Sequence, residues 1–126
     1  MSEIKSIVDD ISIAAFESNT KIAALAVLSN DGELIYQTEN WDISNDLDSI
    51  INALKGEKSI ILNQTEYIIK ETFADGLIGT NPSGMGYIFV VFFNEGLLLS
   101  YALPQADPPT CFTFLSGKVE SLNGKI

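Results

Sequence analysis

The feature that most constrains the fold is a series of β-branched and aromatic runs between residues 65 and 103. The runs are separated by turn sequences at 75–76 (Asp-Gly) and 94–96 (Asn-Glu-Gly), and by a glycine-containing loop at 81–86. Apolar runs broken by Asp-Gly and Asn/Gly turns are the strongest short-range signal for consecutive antiparallel strands. The segment therefore predicts an antiparallel meander, which is typical of a small binding fold and not of an enzyme.

Hydrophobic periodicity predicts the other elements, with helices at 3–16, 45–55 and 109–122 and strands at 21–29, 33–38 and 59–62. Ser44 is the predicted N-cap of the second helix. This order of elements predicts an α+β fold. Its central antiparallel β-sheet would have six to seven strands, and the N- and C-terminal helices would pack on one face. A length of 126 residues suits a single domain, 1–126, with one core.

Composition is that of a globular domain. Hydrophobic residues make up 46% of the chain and charged residues 19%, which is the balance of a folded protein. No apolar run reaches the ~20 residues that a membrane span needs, and the first residues do not resemble a signal peptide. Cys111 is the only cysteine, so it cannot form an internal disulfide. We therefore expect a protein of the reducing cytoplasm.

Charge limits the classes of partner. The chain has seventeen acidic residues, seven lysines and no arginine, so its net charge is −10. Nucleic-acid and phosphoinositide binders need clustered basic residues, whereas these lysines are scattered, so both partner classes are unexpected. The acidic field would favour a partner with a basic patch. Acidity that only keeps a small domain soluble explains the charge equally well.

The residues most often used in catalysis and metal binding are missing. The sequence has no histidine, and one cysteine cannot form a zinc site. The loop at 81–86 lacks the Lys-Ser/Thr pair and the following helix of a phosphate loop. Asp42, Asp46 and Asp48 have a faint calcium-loop spacing without the later Gly and Glu that such a loop requires. We therefore expect no enzymatic activity and no cofactor.

Two apolar features allow two interpretations each. Residues 87–93 are seven apolar residues in a row, although an antiparallel strand with one wet face should alternate. Either helices cover both faces of this strand, which is the commoner case, or part of one face docks a protein partner. Trp41 is similarly either a hot-spot anchor for a partner or, more commonly, a side chain packed under the terminal helices.

Several stretches resemble the profilin family. A small-apolar strand enters the turn Asn-Asp-Gly at 30–32, and Trp41 precedes the second helical segment, as in profilins. Thr-Glu-Tyr-Ile-Ile at 65–69 resembles the family's Gly-Gly-Thr-Lys-Tyr strand, and the loop ending at 83–86 resembles its glycine-rich loop. Pro-Pro-Thr-Cys at 108–111 resembles Pro-Gly-Gln-Cys at the start of the family's last helix. The resemblance covers nearly the whole chain and is strongest to divergent profilins of Asgard archaea.

The resemblance implies a monomeric protein that binds actin monomers and regulates filament assembly. The family's actin face uses the later strands and the start of the last helix. Carried over by position, it implies actin contacts at Ile69, Glu71, Gly79, Asn81, Tyr87, Phe89, Leu103, Gln105 and Thr113. The mechanism would be binding alone, through an apolar centre with a polar rim.

The sequence departs from the family at two sites. Profilins bind proline-rich peptides on aromatic side chains of the terminal helices. Here those helices offer a degenerate polyproline site of Ile4, Ile7, Val8, Leu122 and Ile126, without Trp or Tyr. Proline-rich peptides are therefore expected to bind weakly or not at all. The family's basic residues near the glycine-rich loop are replaced by residues 79–82, which further disfavours phosphoinositides.

A roadblock or longin-like domain, which is a dimeric scaffold for a small GTPase, remains an alternative. These folds also combine a small antiparallel sheet with helices but usually have fewer strands. The turns at 75–76 and 94–96 favour the longer meander of the profilins. Oligomeric state separates the two hypotheses, because a profilin is expected to be a monomer.

Overall fold

A computed structural model of the protein describes residues 2–38 and 41–125. Within these ranges it contains three α-helices, α1 (Ser2–Glu17), α2 (Leu47–Leu54) and α3 (Pro108–Lys118), and a terminal 3₁₀ turn (Val119–Leu122). The strands of the same ranges are β1 (Ile22–Ser29), β2 (Leu34–Gln37), β3 (Ser59–Leu62), β4 (Thr65–Phe73), β5 (Gly76–Thr80), β6 (Tyr87–Phe93) and β7 (Gly96–Ala102).

The strands form one antiparallel sheet in the order β2-β1-β7-β6-β5-β4-β3. Strands β3 to β7 are each paired with the next along the chain, which confirms the predicted meander. The hairpin of β1 and β2 joins the sheet through β7, with Ala26 opposite Leu99. The α+β fold class and the seven-stranded sheet are therefore as the sequence predicts.

The sheet separates two hydrophobic clusters. The first lies beneath α1 and α3 and includes Val8 and Leu115, and the second lies beneath α2 and includes Ile50. The terminal helices thus share one face, as predicted. No helix among the described residues is long and apolar enough to cross a membrane.

Strand β6 contributes to both clusters, which explains its unbroken apolar run. Phe89 and Val91 belong to the first cluster, whereas Ile88 and Val90 belong to the second. Alternate residues of a strand face opposite sides of the sheet, and here both sides are covered. The commoner interpretation therefore holds for the centre of this run, while Tyr87 at its start is half-buried and Phe92 is 37% exposed.

Two local predictions around the second helix are wrong. Helix α2 begins at Leu47 after Asp46, so Ser44 is not its N-cap. The Ser44 hydroxyl instead donates a hydrogen bond of 2.7 Å to the Asp42 carboxylate, within a loop. Trp41 does not pack under the terminal helices but packs against the second cluster, on the α2 side. Nearby Ile43 is fully buried in that cluster and draws the loop to this face.

The last helix begins one residue earlier than predicted. Asp107 is its N-cap, and its carboxylate accepts hydrogen bonds from the Thr110 backbone N–H and hydroxyl. Pro108 occupies the first turn, where a missing N–H is tolerated. The α-helix ends at Lys118, and residues 119–122 continue as the 3₁₀ turn. Gly117 lies within the helix, and a β-carbon there would meet open space.

Candidate functional site

An open surface lies on the α1/α3 face of the sheet, beside α3. Helix α3 packs on β6 and leaves Glu71 and Phe73 of β4 exposed, with Thr80 of β5 and Tyr87 of β6 half-buried. Glu71 pairs with Ile78 of the first cluster, and Thr80 pairs with Tyr87, which packs against that cluster. Because directly opposed residues of an antiparallel pair share a face, Glu71 and Thr80 belong to this side. We call Glu71, Phe73, Thr80, Tyr87 and Thr113 the open face.

Phe73 and Thr80 are the residues of the open face that sequence reasoning missed, and Phe73 is the larger, apolar one. Its side chain is 42% exposed, and its ring centroid lies 4.7 Å from that of Phe112 on α3. Phe73 pairs with Gly76, where a β-carbon would approach the Phe112 ring to within 2.9 Å. The missing side chain at Gly76 therefore lets Phe112 pack against the sheet. Residues two apart in a strand share a face, so Phe73, two residues after Glu71, could have been placed on this face from the sequence.

A β-bulge separates two residues that the sequence placed together. Ile69 pairs with Gly79 and Glu71 pairs with Ile78, so Lys70 is an extra residue in β4. In a regular strand the side chains of Ile69 and Glu71 would point to the same face. With one extra residue in the strand they point to opposite faces. Ile69 consequently packs against the second cluster, away from the open face. The spacing alone gave no signal of this bulge.

Three further predicted positions offer little or no side-chain surface. Phe89 is fully buried in the first cluster. Gly79 is buried, and a β-carbon there would lie 3.2 Å from that of Tyr67, so close packing explains this glycine. Asn81 is 8% exposed and organises the loop at 81–86. Its amide nitrogen donates to the Glu66 carbonyl at 2.7 Å, and its oxygen accepts from the Met85 N–H at 2.9 Å.

The remaining predicted positions are exposed at the start of α3 and before it. Leu103 is 40% exposed, and Gln105 and Thr113 are exposed as well. Tyr87 pairs with Ala102, the residue before Leu103, so Tyr87 and Leu103 lie at the same end of the sheet. The structure thus brings Glu71, Tyr87 and Thr113 to one side and places Leu103 at its edge.

The residues of the degenerate polyproline site are mainly core residues. Ile4, Val8 and Leu122 are at most 3% exposed within the first cluster, and Ile7 is half-buried against it. Ile126 lies outside the described residues. The shallow cleft between α1 and the C-terminal segment is lined by Ile7, Asp10, Ile11, Lys118 and Ser121, with no aromatic ring among them.

Two of the acidic residues with faint calcium-loop spacing, Asp42 and Asp46, have structural partners. Ser44 donates to the Asp42 carboxylate from its hydroxyl and its backbone N–H, and these bonds lower the pKa of Asp42. The Asp46 carboxylate accepts the Asn63 N–H at 3.0 Å. In the ranges that the structure describes, no group of three or more His, Cys, Asp or Glu side chains could hold a metal ion.

Cys111 is buried, and its Sγ donates to the Thr20 carbonyl at 3.2 Å. Burial raises the pKa of this thiol to about 11, and the Asp107 carboxylate adds to the shift. A raised pKa keeps the thiol protonated at neutral pH, whereas a nucleophile needs the thiolate. The environment is that of a structural cysteine.

We expect Cys111 of the folded protein to react with a thiol reagent such as dithionitrobenzoate at least ~100-fold more slowly at pH 8 than in urea. A pKa of about 11 leaves roughly one thiol in a thousand ionised at that pH. The same shift contributes stability that is complete below the unfolded-state pKa and falls as pH rises towards 11. Equal labelling rates with and without urea would contradict this assignment.

The geometry defines the chain as a small antiparallel-sheet domain, with both terminal helices on one face and an open surface beside the last helix. No family model matches the chain. Loki profilin-2 of Lokiarchaeum sp. (strain GC14_75) is 36% identical over 121 residues, which cover 86% of this chain and 87% of that protein. The chain therefore belongs to the profilin family, and the resemblance to profilins of Asgard archaea is confirmed.

Solved structures agree over the whole chain. The structure of Loki profilin-2 in complex with rabbit actin matches with a TM-score of 0.86 and 30% identity, and the match covers 100% of this chain and 99% of that one. A crystal structure of Loki profilin-1 matches with a TM-score of 0.87 and 29% identity, over 100% and 99% of the two chains. These matches favour the profilin hypothesis over the roadblock or longin-like alternative.

Proposed function

We propose that this protein binds actin monomers and thereby regulates the assembly of actin filaments in the cytoplasm. The observation that carries the proposal is the match, over the entire chain, to a profilin solved in complex with rabbit actin. The function needs no bond chemistry, because sequestering or delivering a monomer depends on binding energy alone.

The open face is the proposed contact surface for actin. Its centre is apolar, with Phe73 at 42% exposure and the half-buried Tyr87. Its rim is polar, with Glu71 and Thr113 exposed. A buried aromatic centre with a polar rim is the usual anatomy of a protein interface. Leu103 and Gln105 extend the surface at the end of the sheet where Tyr87 lies.

Two of the other predicted contact residues, Phe89 and Asn81, would support this surface from within. Phe89 fills the core beneath it, and Asn81 holds the adjoining loop through the hydrogen bonds described above. Ile69 and Gly79 pack on the opposite side of the sheet. We therefore propose Glu71, Phe73, Thr80, Tyr87, Leu103, Gln105 and Thr113 as the residues that contact actin.

Proline-rich peptides are expected to bind weakly or not at all. Aromatic rings stack well on a polyproline II helix, but the cleft between the terminal helices presents Ile7 and Ile11 in their place. Titration of an octaproline peptide, followed by calorimetry, should give no saturable heat up to millimolar peptide. Saturable binding that an Ile7→Asp substitution abolishes would overturn this expectation. Phosphoinositide vesicles are likewise expected not to bind, since the seven lysines are scattered through an acidic chain.

Calorimetric titration with monomeric rabbit actin, combined with light scattering of the protein alone, tests the proposed function. We expect saturable binding with one protein per actin, and a monomer in the absence of actin. Raising the salt concentration should change the affinity if the charge of −10 steers the encounter. A dimer that does not bind actin would contradict the proposal and revive the GTPase-scaffold hypothesis.

A further inference from the structure

A pocket lined by aromatic residues lies on the α2 side of the sheet, opposite the open face. We call Trp41, Tyr67, Met85 and Tyr101 the aromatic pocket; Asn63 and Thr65 also line it. The cavity has a volume of about 240 Å³. Tyr67 is only 5% exposed, whereas Met85 is 57% exposed, so the pocket opens towards the loop that carries Met85.

The rings of the pocket stand at different angles around one space. The centroids of Trp41 and Tyr101 are 6.4 Å apart, with planes inclined at 38°. Tyr67 and Tyr101 are also 6.4 Å apart and nearly perpendicular, at 70°. Centroid distances of 6.4 Å are those of aromatic rings in direct contact, so a ligand would meet the ring surfaces that line the cavity and would not enter between the rings. The negative face of an aromatic ring attracts a cation.

Hydrogen bonds fix the loop against the Tyr101 ring. The Tyr101 hydroxyl donates to the Met85 carbonyl at 2.8 Å, and the Met85 N–H donates to Asn81 at 2.9 Å. Gly86 has a φ of 125°, and a β-carbon there would lie 2.8 Å from Cε1 of Tyr101. The glycine therefore lets the loop approach the tyrosine ring. A pre-formed pocket binds without first having to order its side chains.

The described residues that line the pocket are uncharged, and acidic residues neighbour two of them. No lysine is among the described residues that line it. The Asp46 carboxylate lies 3.0 Å from the backbone nitrogen of Asn63, which lines the pocket, and Asp42 directly follows Trp41. The chain as a whole carries −10. Such a field attracts cations and repels carboxylates and phosphates.

We propose that the aromatic pocket binds an alkylammonium group, held by the faces of Trp41 and Tyr101 and by the thioether of Met85. Burial raises the pKa of the Tyr67 phenol to about 12, so this ring is neutral at physiological pH. The ammonium belongs either to a small quaternary amine or to a trimethylated lysine side chain of a protein partner. The pocket lies across the sheet from the open face.

Trp41 is the only tryptophan, so intrinsic fluorescence reports on the pocket directly. Choline chloride is titrated into the protein at constant ionic strength, and the neutral isostere 3,3-dimethyl-1-butanol is titrated in parallel. We expect a saturable fluorescence change with choline and binding by the alcohol that is about tenfold weaker. An N-acetyl-trimethyllysine peptide forms the third arm. Tighter binding of the peptide than of choline would assign the site to a partner's side chain, and the reverse would assign it to a small amine.

Two tyrosine variants make a matched pair for this test. Tyr101→Phe keeps the ring and should retain choline binding within about threefold, whereas Tyr101→Leu removes the ring and should weaken it about tenfold. Trp41→Leu, followed by calorimetry, should show a similar loss if Tyr101→Leu does not fold. Equal binding of the alcohol and choline, no saturation with either ammonium probe, or unchanged binding in the Leu variants would overturn the proposal.

Discussion

Replacing Phe89 by alanine is expected to lower the free energy of unfolding by about 3–5 kcal/mol. Phe89 is fully buried in the first cluster, where its strand neighbour Ile78 is 2% exposed. Removing the ring takes away its buried apolar contacts and leaves a cavity. The cavity cannot close, because β6 is paired with a strand on each side and cannot move inward. Urea unfolding followed by circular dichroism measures the loss. Retained stability with lost actin binding would instead make Phe89 an interface residue.

Phe92→Ala is the matched control, because it removes the same ring from the same strand. Phe92 is 37% exposed and points to the other side of the sheet, so we expect a loss of about 1 kcal/mol. The difference between the two losses in free energy of unfolding measures how much more deeply β6 is buried on its α1/α3 side than at Phe92. Equal losses would contradict the placement of these two side chains.

Replacing Phe73 by aspartate is expected to weaken actin binding at least ~30-fold, which corresponds to about 2 kcal/mol of binding free energy. Phe73 is the most apolar part of the open face and touches Phe112 of α3 at a centroid distance of 4.7 Å. A carboxylate there would have to be desolvated in the complex without a partner. Calorimetric titration with monomeric actin gives the ratio of the dissociation constants.

Leu54→Asp provides the control for Phe73→Asp. Leu54 is 37% exposed at the end of α2, on the opposite side of the sheet, and the substitution introduces the same charge. We expect its affinity for actin to stay within about threefold of the wild type. If Leu54→Asp weakened binding as much as Phe73→Asp, the effect would come from the added charge or from the α2 side, and the proposed surface would be wrong.

The sequence predicts the architecture well because the elements carry strong local signals. The turns at 75–76 and 94–96 join β4 to β5 and β6 to β7, and the apolar run at 87–93 indicates a strand covered on both sides. Helical spacing likewise locates α1. These signals depend on residues close together in the chain, so no tertiary information is needed to interpret them.

The candidate site is harder to predict because the face to which a side chain points depends on pairing. The bulge at Lys70 separates Ile69 from Glu71, and only the register with β5 reveals it. The path of the loop that carries Trp41 depends on the burial of Ile43, and so does the aromatic pocket. The prediction of Phe89 as an actin contact rests on a match by position to the profilin family. Its burial depends on the packing of α3, which the sequence does not reveal.

The most direct test of the account is amide hydrogen exchange of the protein with and without saturating monomeric actin. We predict that actin slows exchange in peptides covering the β4–β5 turn, residues 71–76, and the start of α3, residues 103–113. Peptides covering α2 (Leu47–Leu54) should exchange at the same rate in both samples. Slowed exchange confined to α2 and the aromatic pocket would contradict the central claim that actin binds the open face beside α3.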